Sequence, residues 1–209
     1  MDTSRFLDAL SHDVRQPLQA LLLYLGALER RIHDDEARAL LAQADRAAAS
    51  LASICDALAL YSKLDAGKIT AEIEDVALVT LFAEVAARHP NVTAVASHHH
   101  VSSDPALLGL ILDQYASNAS RHGGGGARLA AEERDGAIEI SISDSGPGVA
   151  ATDHDRIFEE FTRLEGARPD GVGLGLANAR TLADLLGHSL EVRSAPGQGA
   201  AFIVRAPRA

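Results

Sequence analysis

Two long runs of apolar and small residues, spaced alternately four and three apart, dominate the first third of the chain. The first passes through Leu7, Ser11, Val14, Leu18, Leu21, Leu25, Leu28 and Ile32. The second passes through Leu40, Ala44, Ala47, Leu51, Ile54, Leu58 and Tyr61. This spacing draws one narrow apolar stripe along each of two helices. His33-Asp34-Asp35 separates them; Asp34 or Asp35 is suited to cap the second helix and Gly67 to end it. Helices of about 30 residues reach about 45 Å, so a lone hairpin buries one face and leaves other apolar surface uncovered. Two copies packed as a four-helix bundle would cover it. A hairpin packed on the remainder of its own chain is the other solution.

After about Ile69 the pattern changes. Val76–Ala87 and Asp104–His122 carry helical spacing, and Gly171–Leu186 reads as a helix behind a glycine-rich entry. Ala127–Ala131 and Ala137–Ser143 alternate as strands around an Asp135-Gly136 turn, and Ser189–Ser194 and Ala200–Arg205 read as a closing hairpin around Pro196-Gly197. Helices mixed with mostly antiparallel strands predict an α/β sandwich. The expected fold class is therefore α+β: a helical hairpin at 1–68, dimerising into a four-helix bundle, then a sandwich domain at 69–209.

Composition narrows the function. Hydrophobic residues make up 47% of the 209, but aromatics only 4% with no Trp, so the core must be Leu, Ala, Val and Ile. The formal net charge is −10 and no Lys/Arg block occurs, which argues against nucleic-acid binding. The single cysteine, Cys55, precludes an internal disulfide and is expected as a small buried residue in a reducing compartment. No uninterrupted apolar run approaches the ~20 residues of a membrane span. Asp2, Arg5, Asp8, His12 and Asp13 break any signal peptide. A soluble, cytoplasmic protein or fragment is expected.

Five segments carry chemistry. In Ser11-His12-Asp13-Val14-Arg15-Gln16-Pro17-Leu18 the histidine lies beside the apolar seam, on the outer face of its helix, with Gln16 one turn on. Pro17 removes a helix hydrogen bond and kinks the backbone beside it. A neutral imidazole is a nucleophile, and a neighbouring carboxylate such as Asp13 can hold or accept its proton. Gln114-Tyr115-Ala116-Ser117-Asn118-Ala119-Ser120-Arg121-His122 lies on a helix, where Asn118 offers a neutral amide oxygen of the kind Mg²⁺ accepts. Asp144-Ser145-Gly146-Pro147-Gly148-Val149 puts a carboxylate at a strand end, where burial demands a donor partner. Ile157-Phe158-Glu159-Glu160-Phe161 holds two of the five Phe. Gly171-Val172-Gly173-Leu174-Gly175-Leu176 leads into a helix, and backbone N–H groups at such an entry attract phosphates.

In this order, the five segments resemble the H, N, G1, F and G2 boxes of the bacterial sensor histidine kinases, and the resemblance spans nearly the whole chain. It implies that His12 is autophosphorylated from ATP with Asp13 assisting. Gln16 stands where members that also dephosphorylate their partner have Thr or Asn; its longer amide could orient a water. Asn118 would be the Mg²⁺ ligand, joined by Gln114 where the family usually has a second Asn. Arg121 and His122 would lie near the phosphates. Asp144 would read the adenine exocyclic amine, with Gly146 and Gly148 letting backbone approach the base. Phe158 and Phe161 would anchor a lid running through Arg163–Asp170, and Gly171, Gly173, Leu174 and Gly175 would close on the phosphates. The phosphoryl group would pass to an aspartate of a response-regulator receiver domain. A phosphotransfer or scaffold protein of the same fold with weak catalysis is the alternative. His98-His99-His100 is expected to be a solvated loop and not a metal site, since three consecutive side chains do not converge on one ion. Gly123–Gly126 is expected to be the flexible exit of the preceding helix.

Overall fold

A computed structural model describes Val14, residues 18–26, Leu28, residues 34–164 and residues 172–209. It divides into two compact units, Met1–Ile69 with Pro169–Leu174, and Thr70–Arg168 with Gly175–Ala209.

In the first unit, residues 18–26 are helical and a 31-residue helix, α1, spans Asp35–Asp65. Of the two candidate caps, Asp34 is the one used: its Oδ2 accepts from the Ala37 N–H at 2.8 Å. Asp35 and Glu36 in the first turn and Lys63 in the last complement the helix dipole. The chain leaves the helix at Ala66-Gly67, as the sequence suggests. Leu18, Leu25 and Ala48 form a buried cluster, with Leu22, Leu41 and Ala52 packed against it.

The buried stripe of α1 differs from the expected seam. Ala48, Cys55, Ala59 and Ser62 are buried, one position on from the stripe through Ala47, Leu51, Ile54, Leu58 and Tyr61. The buried positions carry small side chains, and the larger leucines stay outside: Leu40 is 61% exposed and Leu51 44%. The facing segment splits similarly, with Leu18 and Leu25 buried but Leu21 and Leu28 about half exposed. By length and composition alone α1 could cross a membrane, which counting uninterrupted runs does not reveal, because its many alanines outweigh scattered charges.

The second unit is a two-layer sandwich. A five-stranded sheet has the order β2-β4-β5-β7-β6, from Val92–Ala94 (β2), Ala127–Arg134 (β4), Ala137–Asp144 (β5), Ser189–Ser194 (β6) and Ala200–Pro207 (β7). β2 pairs parallel with β4, and the other pairs are antiparallel. A separate ribbon joins β1 (Glu74–Ala77) to β3 (His100–Ser103). The helices are α2 (Leu78–Arg88), α3 (Pro105–His122) and α4 (Gly175–Leu186). Period-two alternation places Ile138, Ile140 and Ile142 of β5 and Phe202, Val204 and Ala206 of β7 on the inner face, all buried. Helical spacing brings Leu108, Ile111, Leu112 and Tyr115 of α3 into the same core, where Tyr115 stacks on Phe202 with ring centroids 5.3 Å apart.

Several boundaries move. Val76 and Ala77 belong to β1, paired with Val101 and His100, so the helix expected from Val76 starts at Leu78. The Ala127 strand runs on to Arg134 because all eight of its residues pair with β5. α4 begins at Gly175, not Gly171. His100 is a strand residue whose Nδ1 lies 2.6 Å from Asp75 Oδ1, not part of a histidine loop. On the outer sheet face Glu139 is only 5% exposed. Arg193 grips it with two hydrogen bonds of 2.9 and 3.0 Å, and Arg134 and Arg205 lie within 3.8 Å.

Candidate functional site

α3 supplies the floor of the site. Asp104 caps it, its Oδ1 accepting from the Ala106 and Leu107 N–H groups at 2.9 and 3.0 Å, and Pro105 opens its first turn. One side of the helix is committed to the core through Tyr115, Ala116 and Ala119. The opposite side carries Gln114, Asn118, Arg121 and His122, all half-buried and spaced to share a face. Arg121 Nη2 donates to Ser117 Oγ at 2.9 Å, which fixes its guanidinium along the helix.

The two ends of this face meet different loops. At the C-terminal end, a Cβ on Gly123 would lie 2.7 Å from Asp144 Cβ, so the helix exit abuts the end of β5. At the other end, a Cβ on Gly175 would lie 2.7 Å from Gln114 Oε1, which puts the N-terminus of α4 beside Gln114. The eight helical rises from Gln114 to His122 separate the two ends by about 12 Å. A carboxylate thus stands at one end of a polar strip and a helix N-terminus at the other.

Asp144 is half-buried and only partly satisfied. Its Oδ1 accepts from the Gly146 N–H at 2.8 Å and the Ala200 N–H at 3.3 Å. Both bonds fall on one oxygen, so Oδ2 takes neither. The sequence assigns Gly146 and Gly148 to backbone approach toward a bound base; the structure gives them an internal reason. A Cβ at Gly148 would sit 2.0 Å from the Ala195 carbonyl oxygen, and one at Gly146 would sit 2.3 Å from that of His122. These glycines let the loop press on its own protein.

The two phenylalanines part company. Phe158 ends the short 3-10 turn Arg156–Phe158 and is buried, with the Arg180 guanidinium 5.5 Å from its ring centroid. Phe161 is 58% exposed and holds φ at 58°, unusual for a bulky residue. Gly173 and the buried Leu174 directly precede α4 in the chain. His12, Asp13, Gln16, Pro17 and Gly171 lie outside the described residues, as does most of the expected lid. Arg180, Ser194 and the Ala200 N–H are site neighbours that motif reading did not find. Ser194 is a lone serine at a strand end and carries no pattern.

The donor set fits Mg²⁺. Among the described residues no group of three or more His, Cys, Asp or Glu could hold a metal ion. Asn118 and Gln114 instead offer neutral amide oxygens, the set expected when substrate phosphates supply the charge.

A sheet layered on helices, with a carboxylate at a strand end and a glycine-led helix N-terminus across one polar helix face, defines a nucleotide-binding sandwich domain. Comparison with known proteins agrees. Residues 103–209 match the histidine kinase-, DNA gyrase B- and HSP90-like ATPase family, and residues 2–67 match the His Kinase A (phospho-acceptor) domain. The swarming motility regulation sensor protein RssA of Serratia marcescens is 30% identical over 97% of this chain and 46% of its own length. The signal transduction histidine-protein kinase AfsQ2 of Streptomyces coelicolor is 29% identical over 98% of this chain and 42% of its own. The crystal structure of full-length ShkA in complex with AMPPNP superposes with a TM-score of 0.72 at 30% identity, covering 98% of this chain and 46% of that one. The chain belongs to the sensor histidine kinases and carries their catalytic core. It spans about half, or less, of the length of the curated relatives it matches.

Proposed function

We propose that this chain is an ATP-dependent protein histidine kinase of a two-component system, which autophosphorylates His12 and passes the phosphoryl group to an aspartate on a response-regulator receiver domain. Residues 1–68 would dimerise and carry the phosphate, and residues 69–209 would bind ATP, on the cytoplasmic side. The observation that carries this reading is the Asp144 carboxylate at one end of the α3 polar face, with one oxygen fixed by backbone N–H groups and the other left to accept from an adenine amine.

Each residue then has a task. Asp144 selects the base. Arg121 and His122 contribute charge and hydrogen bonds to the bound nucleotide, and Gly173, Leu174 and Gly175 with Gly171 present backbone N–H groups to phosphates. Phe158 and Phe161 bracket the start of the lid. Asn118, with Gln114, would hold Mg²⁺, which supplies neutralisation of phosphate charge when bound. His12 would attack the γ-phosphorus of ATP through its free ring nitrogen, the bond from that phosphorus to the β–γ bridging oxygen would break and ADP would leave, while Asp13 takes up the proton on the other ring nitrogen. Gln16, which stands where members that dephosphorylate their partner have Thr or Asn, would orient a water for hydrolysis of the partner's phosphoaspartate. The exposure of Leu21 and Leu28 on one helical segment and of Leu40 and Leu51 on α1 supports homodimerisation as a four-helix bundle.

Incubation with γ-labelled ATP and Mg²⁺, beside His12→Gln, tests this reading. Label that is base-stable, acid-labile and lost in the variant is expected. Nucleotide binding without label would overturn it in favour of a phosphotransfer or scaffold role.

A further inference from the structure

We infer that Ser194, which no box contains, is a positioning residue that sets the nucleobase selectivity of this site through Asp144. The inference rests on the proposed adenine-reading role of Asp144 and deepens it.

Ser194 ends β6, and its hydroxyl is used twice. It accepts from the Val149 N–H at 2.8 Å and donates to the Gly199 carbonyl at 2.6 Å. The directions are forced, since an amide N–H can only donate and a carbonyl can only accept. One hydroxyl therefore staples the Asp144–Val149 loop to the turn of the β6–β7 hairpin. A second link runs beside it, from the Gly197 N–H to the Pro147 carbonyl at 2.7 Å. The surfaces so joined are in close contact. Gly199 has φ at +74°, and a Cβ there would lie 2.0 Å from the Asp144 carbonyl oxygen.

The consequence falls on Asp144. Its Oδ1 is held from two directions: by Gly146 within its own loop, and by Ala200 from the hairpin. The Ala200 bond, at 3.3 Å, is already beyond the usual range, so a few tenths of an ångström of separation breaks it. The β5–β7 ladder, which pairs Ser143 with Ala201, and the Gly197–Pro147 link keep the hairpin beside the loop; the Ser194 hydroxyl, bonded to both Val149 and Gly199, fixes the last few tenths of an ångström between them. Without it, the Val149 N–H and the Gly199 carbonyl lose their partner, loop and hairpin relax by the small distance that the long Ala200 bond cannot bear, and the carboxylate is held from one side only. A carboxylate held only by the Gly146 N–H has one restraint in place of two and presents its other oxygen to an exocyclic amine less well.

The test compares dissociation constants of Mg·ATP and Mg·ITP on the full chain. ITP carries the same ribose and triphosphate but has a carbonyl where adenine has its amine. Wild type should prefer ATP at least about tenfold, the worth of one hydrogen bond to a charged group. Ser194→Ala should lose most of that preference by weakening ATP alone, with ITP unchanged within about twofold. Ser194→Thr, which keeps the hydroxyl, should restore it. Equal weakening of both nucleotides in Ser194→Ala, or an unchanged ATP/ITP ratio, would overturn the positioning role while leaving Asp144 its own. A wild type that does not discriminate, or an Asp144→Asn variant with the wild-type ratio, would instead overturn the adenine-reading role and this inference with it. Circular-dichroism melts of both serine variants show that folded protein is being compared.

Discussion

Ile140, at the centre of β5, and Leu51, midway along α1, are both aliphatic residues in regular structure. Ile140 is fully buried, and Leu51 is 44% exposed. The contrast extends to their surroundings. In the sheet unit, Leu108, Ile111, Leu112, Leu129, Ile138, Ile140 and Ile142 have no exposure, so its central apolar core is closed within one chain, although Ile73, Val79, Phe161 and Leu185 remain on the surface. In the helical unit, the four described residues that α1 buries are Ala48, Cys55, Ala59 and Ser62, while Leu40 and Leu51 face outward with Leu21 and Leu28. Fully burying one leucine contributes about 1.5–3 kcal/mol, and among the described residues five leucines of this unit, Leu23 included, have only part of that gain. A unit that closes its own core can act as a rigid tool; one that does not is completed by a partner. That division suits a nucleotide site on the first and a subunit interface on the second.

The largest expected effect separates the two directly. Ile140→Ala removes a fully buried side chain from the middle of the sheet and should destabilise that unit by about 3 kcal/mol, read as a lower denaturation midpoint that is independent of protein concentration. Leu51→Glu should act oppositely in kind. It should leave the sheet unit's melting unchanged, halve the mass seen by light scattering, and abolish the concentration dependence of the helical unit's melting. A wild type that is monomeric at high concentration would break the comparison.

Sequence reading succeeded where a pattern was long and failed where it was short or borrowed. The α3 helix and the β4–β5 and β6–β7 hairpins were legible because periodicity and turn residues agree there: Asp135 and Gly136 both take positive φ, as a tight hairpin turn requires. β1, β2 and β3 have three or four residues each, too few for alternation to register, and tertiary pairing claimed Val76 from the helix that spacing predicted. The seam of α1 was correct as an apolar stripe, but the hairpin buries the neighbouring stripe of small residues. Heptad spacing does not tell an intrachain contact from an interchain one. Within the site, Asp144 and the α3 residues were legible as motifs. The clamp on Asp144 was not, because it is made by backbone N–H groups and one serine about fifty residues away.

A smaller effect probes the outer face of the sheet. Glu139 is an acidic residue on β5, whose other face packs aliphatic residues into the core, and it is buried because Arg193, Arg134 and Arg205 surround it. The hydrogen bonds from Arg193, helped by the charges of all three arginines, hold its carboxyl below the ordinary value of 4.5 despite burial. A carboxyl with a lowered folded pKa contributes stability that is present above its unfolded pKa and lost as pH falls through the folded one. Glu139→Gln should therefore cost about 2 kcal/mol near neutrality and lessen the acid sensitivity of the sheet unit below about pH 4.5. An unchanged acid transition would show that other carboxylates govern it.

The smallest expected effect concerns His188, just past the end of α4. It is buried, its Nε2 lies 2.9 Å from the fully buried Ser103 Oγ, and its Nδ1 has no hydrogen-bond partner. Burial lowers its pKa from the ordinary 6.5, and the Gly187 carbonyl nearby offsets only part of that. The sign follows from linkage. Above about pH 6.5 the histidine is neutral folded or unfolded, and its contribution is fully present; below that, the unfolded chain takes up a proton before the folded one does, so stability falls with pH until the folded pKa is reached. The sheet unit should therefore melt a few degrees lower at about pH 5.5 than at about pH 7.5, and His188→Gln, which cannot take up that proton, should show a shallower dependence. The helical unit should show no change in slope with this substitution. If it changed as much as the sheet unit, His188 would not be the local source of the sheet unit's pH dependence.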